Sequence, residues 1–354
     1  MDIHKLLKLM VAEKASDLHL KAPTVPVLRV DGQLIRQEDL PPVTPEDTEH
    51  VFKTIANEHQ KETFFRDYEL DFVYSVPNLA RFRVNVLRQR GTLSLAFRLV
   101  PFRIGTIDEW GLPQILKRLI IKPRGLILVT GPTGCGKSTT LAAMVDHLND
   151  NVRSNVLTIE DPIEYLYKDK KCIISQRELG GDTKSFNIAL KHALRHDPDV
   201  IIVGEMRDLE TISTAIAAAE TGHLVLGTLH TIDASQTVDR MIDMFPPTQQ
   251  SQIRLQFSQV IVAVLSQTLL PRKGGQGREA AFEIMIANPA VRHLVREGRT
   301  FELASIIQLG AREGMLLLDQ DLARLVKTGV VTDEEALLKS SHPERLKKML
   351  RPAE

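Results

Sequence analysis

Residues Gly131, Pro132, Thr133, Gly134, Cys135, Gly136, Lys137, Ser138 and Thr139 spell G-x-x-x-x-G-K-[ST], the pattern of a phosphate-binding loop. This pattern constrains the fold tightly, because such a loop works only between a strand and a helix. The flanks meet that demand. Leu126-Ile127-Leu128-Val129 is an apolar run before the loop, and an Ala/Leu-rich stretch from Leu141 to Leu148 follows it. The glycines let successive backbone N–H groups converge on phosphate oxygens, and the helix adds its positive N-terminal end. Lys137 is placed to reach β- and γ-phosphates, and Ser138 to help hold Mg²⁺. A chance lysine beside a Gly-rich turn would not bring all four fixed positions and both flanks together.

The chain has 354 residues, room for two or three domains, and its 43% hydrophobic and 25% charged residues match a soluble globular protein. Its 45 basic and 45 acidic residues cancel, so nothing global points to nucleic acid or an anionic membrane as the main partner. No apolar stretch approaches the ~18–20 residues of a spanning helix, and the N-terminus lacks a signal-peptide pattern. Cys135 and Cys172 are too few for a disulfide framework or a four-thiolate zinc site. These features predict a cytoplasmic protein without direct membrane insertion, whose membrane association would come through a partner.

Up to about Val100 the chain alternates short helical and extended patterns. Ile3, Leu6, Leu7, Met10 and Val11 recur at helical spacing, and Asp17-Leu-His-Leu reads as a strand. Val27–Val30 and Gln33–Arg36 read as a hairpin around Asp31-Gly32, a pair that supplies positive φ. A helix is expected over 48–65. Phe82–Leu87 and Thr92–Val100 alternate with period two around Gln89-Arg90-Gly91. Together they predict a small α+β domain, followed by a linker in the Pro101–Gly111 region. Beyond Arg124, apolar runs at Leu126–Val129, Asn155–Ile159, Val200–Val203 and Leu224–Leu229 alternate with helical stretches. Runs apolar on both faces indicate a buried parallel sheet covered by helices on each side. From about Pro246 the pattern becomes largely helical.

In an open α/β sheet the carboxyl ends of the strands line the ligand crevice. The second of these strands ends in Glu160-Asp161-Pro162-Ile163-Glu164. Three carboxylates so close would repel one another unless Mg²⁺ or an ordered water uses them, so Glu160 and Asp161 are candidate metal residues. The third strand, Asp199-Val-Ile-Ile-Val-Gly-Glu205, has the apolar-run-then-acid form of a Walker B segment, which puts Glu205 beside Mg²⁺ or the attacking water. The fourth carries His223 at its start and His230 at its end, where His230 is placed to sense hydrolysis by hydrogen bonding. Arg81 and Arg83 share one strand face and Arg98 lies on the next strand. They are either a solvated face or a source of charge for a nucleotide bound by a neighbouring subunit, with Arg195 and Arg207 as in-domain alternatives. Cys135 sits at a helix N-terminus, next but one to Lys137. It is either a reactive thiolate or a small serine substitute with its sulfur turned inward.

The blocks GPTGCGKST, TIEDPIEY, DPDVIIVGEMRD and TGHLVLGTLHT, in that order, resemble the Walker A, Asp box, Walker B and His box of the secretion-type ATPase superfamily. Within it the chain is most similar to the type IV pilus retraction ATPases of twitching motility, as are its flanks SDLHL, ARFRVN (80–85) and SQTLLP (266–271). The resemblance spans nearly the whole chain. The segment Ala290-Val-Arg-His-Leu-Val-Arg-Glu297 is similar to the family's retraction motif, with valines for isoleucines and His293 for asparagine.

The resemblance implies an α/β fold: a PAS-like N-terminal domain (1–98), a linker (99–110), and a RecA-like ATPase domain (111–354) with a mostly helical C-terminal region. It also implies a homohexamer that hydrolyses ATP with Mg²⁺. That ring would be peripheral to the inner membrane at the pilus base, where it would act on a membrane platform protein. In that reading Glu164 orients or activates the water, and Arg83 or Arg98 acts on the next subunit's nucleotide. Among relatives, longer extension and secretion ATPases usually carry a tetracysteine zinc motif, which this chain lacks. An auxiliary retraction paralogue is the nearer alternative, though Gly204-Glu-Met-Arg-Asp208 and Gly227-Thr-Leu-His-Thr231 look more like the principal enzyme. A regulatory nucleotide switch and a P-loop kinase are the rivals from other classes.

Overall fold

The computed structural model describes residues 1–30, 32–77, 79–100, 103–275 and 277–351. They divide into two compact units, Met1–Arg103 and Ile104–Glu354. The expected linker runs across this division, and its Pro101 and Phe102 lie outside the described residues, as does Asp31 of the expected first hairpin turn.

The first unit contains α1 (Ile3–Ala12), β1 (Asp17–Lys21), β2 (Val27–Val30), β3 (Gln33–Arg36), α2 (Pro45–Ile55), α3 (Glu58–Asp67), β4 (Glu69–Val76), β5 (Ala80–Gln89) and β6 (Thr92–Val100). Its sheet has the order β3-β2-β1-β6-β5-β4, with every neighbouring pair antiparallel. Strict alternation puts Leu18, Leu20, Phe82, Val84, Val86, Leu95 and Phe97 into one core with the helices. Arg81 and Arg83 fall on the opposite face of β5, and Arg83 pairs across the strands with Arg98. The single helix expected over 48–65 is two. The first ends at Ala56, which is extended, and Asn57 starts the second, because its side chain and that of Gln60 form a reciprocal capping box.

In the second unit come α4 (Ile115–Ile120), β7 (Gly125–Thr130), α5 (Lys137–Asn151), β8 (Asn155–Glu160), β9 (Ile173–Glu178), α6 (Phe186–Ala193), β10 (Val200–Val203), α7 (Leu209–Glu220), β11 (Leu224–Leu229), α8 (Ala234–Asp243) and α9 (Pro247–Val260). Next are β12 (Ile261–Pro271), β13 (Arg278–Ile286), α10 (Pro289–Glu297), α11 (Leu303–Leu309), α12 (Leu318–Lys327), α13 (Asp333–Lys339) and α14 (Pro343–Leu350). The sheet runs β13-β12-β7-β11-β10-β8-β9, parallel throughout except where β13 pairs antiparallel with β12.

Alternate residues of one strand enter different cores. Leu126 and Leu128 pack on one side of the sheet with helices α6 to α9, and Ile127 and Val129 pack on the other with α4 and α5. That is why these strands read as unbroken apolar runs.

The C-terminal part corrects the helical expectation in one respect. The long β12–β13 hairpin lies between α9 and α10, and β12 pairs with β7 in register Ser266↔Thr130. Helices do dominate after it. In α10, Val291, Leu294 and Val295 of the retraction-like segment are buried. Its Arg292 donates to the carbonyl oxygens of Ser258 and Gln259, both at 2.6 Å, and so closes the end of α9.

Candidate nucleotide site

The loop leaves β7 at Thr130 and enters α5 at Lys137. At Gly131 (φ +141°) a Cβ would stand 2.2 Å from the Gln267 carbonyl oxygen and 2.7 Å from Cys135 Sγ, so no side chain fits. Gly136, in a left-handed conformation, caps α5 with no side-chain acceptor. The first-turn N–H groups and the positive end of a 15-residue helix therefore face the loop. The Lys137 side chain is buried, and its ammonium donates to the carbonyl oxygens of Gly131 (2.8 Å) and Pro132 (3.2 Å). Those bonds hold the charge inside the loop's curve.

Cys135 is buried, and its sulfur lies close under Gly131. Burial pushes its thiol up, against the lowering influence of Lys137. Of the two readings of Cys135, the structure supports the inward-facing serine substitute and opposes the reactive thiolate. Desolvation of the charged form outweighs the nearby positive charge.

The remaining strand ends converge on this loop. Together they line a cleft of about 930 Å³ built entirely from second-unit residues, including Ser138, Glu160, Asp161, Glu164, Glu205, Arg207 and His230. Half-buried Glu160 accepts from the Thr158 hydroxyl (2.6 Å) and the Gln176 amide (3.0 Å). Burial raises its pKa, and these neutral partners only partly offset that. Asp161 and Glu164 are exposed along the cleft. Thr139 of the loop is tied to the same segment through the Tyr165 hydroxyl at 2.9 Å.

Glu205 receives a two-pronged contact from Arg207, at 2.5 and 2.6 Å, and His230 Nε2 stands 3.0 Å from its Oε1. Burial works to raise the Glu205 pKa, but Arg207 and His230 outweigh it and hold the carboxyl below its ordinary value. The Walker B acid is thus an ionised hub between an arginine and the His-box histidine. His223 is different in kind, since its Nδ1 meets the Ala218 carbonyl at 2.9 Å, at the end of α7.

Three contributors escaped the sequence reading. Gln267, on β12, is buried against the loop. It donates to the Cys135 carbonyl (2.6 Å) and accepts from the Thr140 hydroxyl (2.8 Å). Ser266 beside it bonds the Thr130 hydroxyl at 2.8 Å. Gln176, besides contacting Glu160, braces the acidic segment by donating to Tyr165 O (2.8 Å) and accepting from Tyr167 N–H (3.0 Å). Polar Ser266-Gln267 inside the apolar run of β12 was the available signal, because a buried polar pair needs partners.

Arg83 and Arg98 belong to the first unit. Arg98 Nε is 2.8 Å from Asp17 Oδ1, a nearly buried carboxylate, and Arg83 lies 3.9 Å from Asp71.

Comparison with known proteins agrees in extent with this geometry. The type II/IV secretion system protein family matches residues 1–337. The type IV pilus retraction ATPase PilT of Pseudomonas aeruginosa is 48% identical over 344 residues, covering 97% of this chain and 99% of that protein. A twitching motility protein of Neisseria gonorrhoeae is 45% identical over 321 residues, 91% of this chain and 86% of that protein. A crystal structure of the pilus retraction motor PilT with bound ADP superposes with a TM-score of 0.93 at 44% identity, covering 98% of this chain and 99% of that one.

Proposed function

The chain belongs to the type II/IV secretion system protein family, and from that premise we propose that it is an ATPase motor that powers type IV pilus retraction. The observation that carries this reading is the single cleft on which the phosphate loop, the acidic segment, Glu205 and His230 converge. It lies in a chain that a retraction ATPase matches almost end to end. No helix among the described residues is long and apolar enough to cross a membrane. In this reading the motor is a homohexamer that acts on an inner-membrane platform protein from the cytoplasmic side, as the family resemblance implies.

The phosphate loop binds the triphosphate with its backbone N–H groups and the N-terminus of α5, and Lys137 neutralises the β- and γ-phosphates. Glu164, at the cleft wall and without a role in the loop's own hydrogen bonds, orients the attacking water. Glu205 and His230, already in contact, sense the γ-phosphate.

Among the described residues no cluster of three His, Cys, Asp or Glu side chains is close enough to hold a metal alone. The donors present suit Mg²⁺ all the same. Mg²⁺ keeps several waters, takes phosphate oxygens, and needs only one or two oxygen ligands from the protein. Ser138 and Glu160, with Asp161 and Glu205 near, would hold it. A cation at Glu160 would offset the burial and the Glu164 charge, both of which raise its pKa. The ion would supply charge compensation for the phosphates.

We read residues 1–98 and 111–354 as the two working domains, with closure hinged at 99–110 converting hydrolysis into movement. Arg83 or Arg98 then reaches the nucleotide of a neighbouring subunit.

The test is a deletion strain. It should lose surface motility while still assembling pili, and wild-type protein should restore movement. Lys137→Ala should not restore it, although it melts like the wild type, because the β/γ-phosphates lose their point charge. Motility without the gene would reject the motor, and turnover that requires an added acceptor would favour a kinase.

A further inference from the structure

We infer that Gln267 is a positioning residue for nucleotide binding, acting through the Cys135–Gly136 peptide. The inference rests on the nucleotide reading of the cleft. In register, Ser266 lies opposite Thr130, the last residue of β7, so Gln267 falls beside the first residue of the phosphate loop. Its backbone oxygen fills the place where a Gly131 side chain would be. Its side chain, 3% exposed, reaches further along the loop, and Nε2 donates to the Cys135 carbonyl at 2.6 Å.

That bond sets the direction of the next donor. The Cys135–Gly136 peptide is trans. In a trans peptide the carbonyl and the following N–H point opposite ways. With the Cys135 oxygen held against Gln267, the Gly136 N–H turns to the other side, the inner side of the loop. Rotating this peptide about its flanking bonds would exchange a donor for a carbonyl oxygen and set a partial negative charge against phosphate. Gly136, at φ +93°, offers little steric resistance to that rotation. The restraint must come from outside the loop, and Gln267 supplies it.

Thr140 decides which end of the amide does the holding. Its hydroxyl donates to Gln267 Oε1 at 2.8 Å, which leaves the NH₂ group for Cys135. Thr140 is itself buried in the first turns of α5. The loop's start, its Cys135 carbonyl and its helix are thereby tied to one side chain more than 120 residues downstream.

The experiment measures ADP affinity by calorimetry, at pH 8 and pH 6, for wild type, Lys137→Ala, Gln267→Glu, Gln267→Leu and Thr140→Val. Melting without nucleotide is recorded for each. Glutamate keeps the size of glutamine but donates only when protonated. At pH 8 Gln267→Glu should bind ADP about tenfold or more weakly, the scale of a lost buried hydrogen bond. At pH 6, relative to wild type, it should recover much of that loss, because burial keeps a carboxyl protonated further toward neutrality. Gln267→Leu should be weak at both pH values, and Thr140→Val should lose about threefold. Packing alone would give Gln267→Glu no recovery at pH 6, and that result would overturn the inference. So would wild-type affinity in folded Gln267→Glu at pH 8. If both Gln267 variants fail to fold, undiminished affinity in Thr140→Val overturns it. Wild type that binds no better than Lys137→Ala would instead remove the nucleotide reading beneath it.

Discussion

Glu283→Gln should stabilise the protein above neutral pH and leave it nearly unchanged in mild acid. Glu283 lies on β13, 8% exposed, and accepts from the Ala234 N–H at the start of α8 at 2.9 Å. Burial is the main cause that raises its carboxyl from 4.5 to about 7, with Asp233 and Asp319 adding repulsion and the Ala234 and Leu318 N–H groups opposing. The folded state therefore holds this proton over a range where the unfolded chain has released it. Stability from the group is complete below about pH 4.5 and is lost as pH rises to about 7, after which nothing further is lost. At ~1.4 kcal/mol per tenfold change in proton affinity, that loss is on the order of 3 kcal/mol. Glutamine reproduces the neutral acid and keeps an acceptor for Ala234, so it escapes the loss. The measurement is denaturant unfolding of both proteins at pH 4.5 and pH 8. The variant's advantage should appear only at pH 8. Equal stabilities at both pH values, or a variant weaker at pH 8, would refute the argument that burial governs this carboxyl.

Glu164→Gln should bind ATP normally while hydrolysis falls about 10²-fold, the scale of losing a base or a water-positioning group; collapse of binding, with turnover per bound ATP unchanged, would make it a metal or structural residue. Mixing Lys137→Ala subunits with Arg83→Ala subunits should partly restore ATP turnover, since some interfaces then carry both intact halves. Arg83 is the cleaner choice, because removing Arg98 also strips the closest charged partner from the nearly buried Asp17. No recovery in verified mixed rings, with each single variant inactive, would put the arginine's role inside its own subunit. Brief alkylation should leave native Cys135 and Cys172 largely unlabelled and modify both after unfolding, because each thiol is buried and pushed up. Rapid, ATP-protected labelling of Cys135 in the native protein, read by mass spectrometry, would revive the reactive thiol.

Much of the molecule was legible in the sequence, because local chemistry determines it. The phosphate loop follows from its own glycines and lysine, since no other residues allow that backbone path and that charge. The parallel strands announce themselves as runs apolar on both faces, and β5 and β6 by strict alternation. Even the acids and histidine of the cleft could be placed, since the end of a strand has a known position in an open α/β sheet. What tertiary structure alone decided were relations between distant segments. Residues 261–266 pair with β7, which carries Gln267 to the loop, and no local pattern in either segment reports that register. Glu205 reads in sequence as an acid beside Mg²⁺ or the attacking water, and only the fold shows Arg207 and His230 in contact with it, because β11 brings His230 alongside. The state of Cys135 turned on the same distinction. Its position near Lys137 left a reactive thiolate and an inward-turned serine substitute both open, and only the packed fold showed that burial outweighs that nearby charge, because desolvation depends on everything around the sulfur rather than on its neighbours in the chain.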